Sequence, residues 1–193
     1  MQVNIMTIVW LLFYLINFNK NKMGICSTRF RTVIMNLNII VFTIFWIGII
    51  YYVSVDPNEL SKYSTWQKTC TVITHFISPL SLFVISFFVM GEERYNYLDF
   101  YKRSEVYIVC IYSFLYMIYV YVRGKMYVND GMVLWAWPYP FLDFQNLFVG
   151  KSVIGYMMLL SLVFVLWIIA NQMLLILFNN LVHKFKTNKN TIN

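Results

Sequence analysis

The sequence predicts an all-α fold, a polytopic transmembrane helical bundle of about five spans (3–18, 32–54, 71–90, 106–122 and 152–181), and three observations predict it. First, 60% of the residues are hydrophobic and only 12% are charged, where an ordinary globular domain carries roughly 25% charged residues. Second, the apolar residues are gathered into runs near the ~20 residues a helix needs to cross a bilayer. Third, Lys and Arg fall in the gaps between those runs, where cytoplasmic loops collect them. No run alternates with the two-residue period of a transmembrane strand, and no repeat of fixed or inverted period is visible.

The first run, Val3 to Phe18, is slightly short for a span. A basic loop follows, Asn19 to Arg31, with Lys20, Lys22, Arg29 and Arg31. The second run, Thr32 to Ser54, stops at Asp56-Pro57-Asn58, where proline cannot extend a helix. The third, Thr71 to Met90, is closed by Gly91 and contains Pro79, which removes one backbone hydrogen bond and favours a kink. Glu92 to Glu105 mixes acids and bases, and the fourth run, Val106 to Val122, is bounded by Arg123-Gly124-Lys125. The connection 124–150 carries Trp135, Trp137, Pro138, Tyr139 and Pro140, an aromatic and proline density that reads as a rigid segment at the membrane interface. The fifth run, Ser152 to about Leu181, is long enough to tilt or project from the bilayer. Residues 1–182 thus read as a single transmembrane domain and 183–193 as a polar cytoplasmic tail.

The net charge of +7 is a topology signal and not a nucleic-acid footprint, because the basic residues form no stripe or groove. Ten Lys and Arg lie in the first loop, third loop and tail, against five in the second and fourth loops. That bias favours a multi-pass protein of the cell membrane with its C-terminus cytoplasmic and its N-terminus external. Cys26, Cys70 and Cys110 are odd in number and have no histidine at metal-binding spacing, which excludes a complete disulfide framework and points to no metal. The start does not read as a secretory signal. No Gly-rich dinucleotide, phosphate-loop or zinc-protease motif is present, so no cofactor is expected.

His75 is the residue most able to carry chemistry, since an ionisable group inside a span is costly and faces the bundle interior. Helical spacing puts Thr71, His75 and Ser78 on one face, with Thr74 close by. One reading is a general base partnering a hydroxyl nucleophile; the other is a neutral histidine hydrogen-bonded between helices. Asp143 either caps its turn or orients His75. Thr7, with Asn4 and Tyr14 on the same face, reads as a hydroxyl bonded to its own helix or a neighbour. Tyr112, Tyr116 and Tyr119 form a packing stripe, and Asn171 and Gln172 read as interhelical hydrogen-bonding groups. His183 shows no partner in the sequence.

Thr-His-Phe-Ile-Ser-Pro-Leu (74–80), followed downstream by Trp-Pro-Tyr-Pro-Phe-Leu-Asp (137–143), resembles the bacterial Pr-six-Pr membrane proteins, which are distantly similar to the eukaryotic androgen-induced-gene family. The opening Gln2-Val3-Asn4-Ile5 is similar to the start of the second helix in that group. The resemblance implies six helices with both termini inside and an intramembrane hydrolase of fatty-acid esters using a threonine nucleophile and a histidine. His75 matches the family histidine. The family threonine falls upstream of Met1, so the resemblance implies a chain lacking the first helix and its nucleophile.

Three functions therefore stay open: an acyl-lipid hydrolase centred on His75, a non-catalytic lipid-binding or membrane-assembly protein, and a transporter. The expected partners are membrane lipids, with an acyl lipid as substrate in the first case and no nucleic acid in any. The sequence leaves the oligomeric state open.

Overall fold

The computed structural model describes residues 2–16, 27–58, 61, 63–102, 105–132 and 136–190. The tail of the first run, Lys20, Lys22, Cys26, Trp135 and residues 191–193 lie outside these, as does the side chain of Arg29. Among the described residues there are helices and no strand. They are α1 (Gln2–Ile16), α2 (Thr28–Val55), α3 (Thr65–Val89), a short α4 (Tyr97–Lys102), α5 (Glu105–Asn129) and α6 (Val153–Asn190). Helices α2, α3, α5 and α6 are long and apolar enough to cross a membrane, while the apolar stretch of α1, Val3–Ile16, is shorter. Helices are the outcome lipid demands, because each backbone N–H and C=O is satisfied within its own segment.

Hydropathy places the helices, and caps fix their ends. Ser27 Oγ accepts from Phe30 N–H at 3.1 Å and starts α2 four residues before its apolar run. Ser64 and Gln67 form a reciprocal capping box, so α3 begins at Thr65 and not at Thr71. Helix α5 continues through Arg123-Gly124-Lys125 to Asn129. It ends where Gly131, at φ +76°, lets Met132 N–H reach back to Tyr127 C=O at 2.8 Å. Gly124 is no breaker: the ring of Trp137 lies on it so closely that a Cβ would sit 2.1 Å from Cζ3. Helix α6 runs on to Asn190, through residues read from sequence as a polar tail.

The chain forms two compact units, residues 1–106 with 170–193, and residues 107–169. In the first, Trp10, Ile34, Met35, Leu82, Met90 and Leu175 form the buried core, joining α1, α2, α3 and the end of α6. Buried polar side chains fix the register between those helices. Asn36 Nδ2 donates to Gln172 Oε1 at 3.0 Å, and Gln172 Nε2 donates to Thr32 Oγ1 at 3.2 Å. Each such bond contributes roughly 1 kcal/mol inside a membrane. The loop after α3 is held by the end of α6. Asn179 accepts from Gly91 N–H and donates to Glu93 C=O, and Asn180 pairs with both backbone groups of Tyr95. His183 Nδ1 lies 3.0 Å from Gly91 C=O; a carbonyl only accepts, so this nitrogen carries the proton. Arg31 and Lys186 donate to the carbonyls of Val89 and Met90 at the C-terminus of α3, where the helix dipole favours cations.

The second unit packs α5 against the first half of α6. Its core is Met117, Val120, Leu142, Phe144 and Tyr156. The Trp-Pro-Tyr-Pro segment folds onto it through a 3₁₀ turn at Pro140–Leu142, and Tyr156 OH donates to Phe141 C=O at 3.0 Å.

Candidate functional site

His75 lies in a π-helical turn, Ile73–Ile77, inside α3. Pro79 explains the turn. It cannot donate to the carbonyl four residues back, which is that of His75, and its ring crowds that carbonyl. The chain relaxes by widening: Ser78 N–H donates to Ile73 C=O, five residues back. Such single turns are frequent at functional sites. The widening also breaks the even spacing that would align Thr71, His75 and Ser78, because residues on either side of the turn are offset by about one position.

The imidazole is half-buried and lies flat on Phe45 of α2, with ring centroids 4.1 Å apart and planes within 7°. Phe42, Trp46 and Phe76 continue the cluster. His75 Nδ1 is enclosed and has no hydrogen-bond partner among the described residues, and neither has Trp46 Nε1. A histidine and an indole both left unpaired in one aromatic cluster are an uncommon expense, about 1–3 kcal/mol for each buried group.

No hydroxyl completes a nucleophile–base pair with this ring among the described residues. Thr74 Oγ1 donates back to Cys70 C=O at 2.7 Å. Thr7, on α1, donates to Val3 C=O and accepts from Asn38 Nδ2, each at 2.8 Å. Thr71 and Ser78 are half-buried on α3 without a bond to His75 Nδ1. Asp143 belongs to the other compact unit. Its carboxylate accepts from the backbone N–H groups of Gln145 and Asn146 and from the Asn146 amide, so it caps its own turn. Among the described residues no cluster of His, Cys, Asp or Glu has the makings of a metal site.

The second unit holds a feature the sequence did not single out. Two adjoining cavities of about 290 and 560 Å³ lie along α5 and α6 and share Phe114, Ser161 and Val165. Meeting at those three residues, they trace an open groove with Cys110 and Ile168 toward one end and Ile154 and Met158 toward the other. Its lining is apolar but for Cys110, Ser113 and Ser161, and Ser161 turns its hydroxyl to Met157 C=O at 2.8 Å. The sequence signal is there, as small residues Ser113 and Ser161 within long apolar runs, but only the pairing of α5 with α6 makes it readable. No family model, no curated protein and no solved structure matches the chain, and the two sites stand on their own geometry.

Proposed function

We propose that this protein is a non-catalytic, multi-pass membrane protein that binds lipid acyl chains. The observation that carries this reading is the α5–α6 groove, two adjoining cavities lined almost wholly by apolar side chains. Pockets of this size and lining suit an apolar ligand. The loop charges support placement in the cell membrane with the C-terminus cytoplasmic and the N-terminus external. The test is photo-crosslinking with acyl-chain diazirine lipid in vesicles. Label is expected in segments 110–117 and 154–168, and Ser161→Phe, which fills the groove, is expected to lower it severalfold. Label that is indifferent to this substitution overturns the reading.

A second reading, an intramembrane acyl-ester hydrolase with His75 as base, rests on the unpaired Nδ1 in its π turn and on the family resemblance at 74–80 and 137–143. It predicts labelling by hydrolase activity probes that His75→Ala abolishes. The non-catalytic reading predicts no labelling and a loss of stability alone in His75→Ala.

A further inference from the structure

We propose that the α5–α6 groove seats an acyl chain of an anionic glycerophospholipid whose phosphate rests at the N-terminus of α6 beside Lys151. The inference rests on the lipid-binding reading and adds the headgroup and its place.

The groove runs along α6 from Ile154 to Ile168, about 21 Å at 1.5 Å per residue. This exceeds the depth of one leaflet, about half of a ~30 Å hydrocarbon core, so an acyl chain fits lengthwise. Ile154 is the second residue of α6, so one end of the groove coincides with the start of the helix. The aromatic groups gathered there set its depth. Tyr156 in the first turn bonds to Phe141 and packs on Phe144, in a cluster that Trp137 and Tyr139 join. Tyr and Trp collect at headgroup level, so the start of α6 lies where phosphates lie.

That end is complementary to an anion. The first turn of α6 carries no acidic residue, and a helix N-terminus presents N–H groups and a partial positive charge. Ser152 Oγ accepts from Gly155 N–H at 3.3 Å, which leaves the earlier amides to another acceptor. Lys151 is exposed on the bend immediately before the cap. Beside it Gly150, at φ +75°, has open space where a side chain would stand. The nearby carboxylate of Asp143 is already held by three donors. An apolar groove whose last lining residue, Ile154, lies three positions from Lys151 matches a chain joined to a phosphate.

The test uses the full chain in phosphatidylcholine vesicles doped with phosphatidylglycerol that bears an acyl-chain diazirine, against the same diazirine on phosphatidylcholine. Adducts are mapped by peptide mass spectrometry. Phosphatidylglycerol is expected to label the groove about fivefold more strongly, the factor that one basic side chain confers near an anionic lipid. Lys151→Glu, on an exposed bend outside the packed core, is expected to erase that preference. Equal groove labelling by both lipids, unchanged in Lys151→Glu, overturns the headgroup proposal and leaves the lipid-binding reading standing. Label confined to surfaces outside the groove overturns both.

Discussion

At the scale of single residues, Gly91 is constrained twice, by its backbone angle and by the backbone packed against it. Its φ of +80° suits glycine, and a Cβ there would lie 2.7 Å from His183 N and 2.9 Å from the carbonyl carbon of Val182. Backbone cannot move aside as a flexible side chain can. Gly91→Ala is therefore expected to lower stability by about 2 kcal/mol or more, from strain at a special backbone angle together with the clash. A denaturant titration in detergent checks it, and an unchanged midpoint would contradict the close approach. The same constraint shows why His183 looked partnerless in sequence. Its partner is a backbone carbonyl 92 positions away, and backbone atoms carry no sequence signature. Gln172 could be read as a bonding group from its chemistry, but not which helix it would meet, and Asn171, read the same way, leaves its Nδ2 without a hydrogen-bond partner among the described residues.

At the scale of the element, the apolar runs placed four long helices and the short first one, because a run of that length in lipid has no other way to satisfy its backbone. The ends were less legible. Ser64-x-x-Gln67 was a readable capping signal upstream of the third run, yet it lies outside the apolar stretch that hydropathy detects. Arg123-Gly124-Lys125 looked like a boundary but continues α5, since Gly124 serves close packing with Trp137. Pro79 announced a kink, but not that it takes the form of a π turn in which His75 lies on Phe45 of α2. Pro79→Ala restores the missing N–H donor and is expected to return the segment to α-helix, rotating His75 away from Phe45 by roughly one residue, about 100°. In a chain cleared of its native cysteines, a cysteine pair placed at 45 and 75 is expected to cross-link readily with the proline present and poorly in the Pro79→Ala background. Equal cross-linking in both backgrounds would show that the π turn does not depend on the proline.

At the scale of the whole molecule, the helices α2, α3, α5 and α6 set a sidedness that chemistry can read. Between Asn58 and Asn188 the chain passes through α3, α5 and α6, an odd number of crossings. With native cysteines replaced by serine, Asn58→Cys and Asn188→Cys are expected to react with an impermeant maleimide from opposite faces of sealed vesicles. Reaction from the same face would mean that one of the three helices does not cross. Among the described residues, the buried charged side chains Arg31 and Glu105 belong to the first unit. Both sit near helix ends and not at mid-span, as expected for charges that must stay close to water.

The grip of Asn179 and Asn180 on residues 91–95 also sets a schedule for biogenesis. The first unit is assembled from residues 1–106 and 170–193, so its last pieces are translated 85 residues or more after the loop they hold. While the ribosome makes the intervening stretch, the amides of Gly91 and Tyr95 have only water or the insertion machinery for company. A ribosome stalled before Asn179 would leave residues 91–95 without these partners, open to quality-control proteases until α6 is complete.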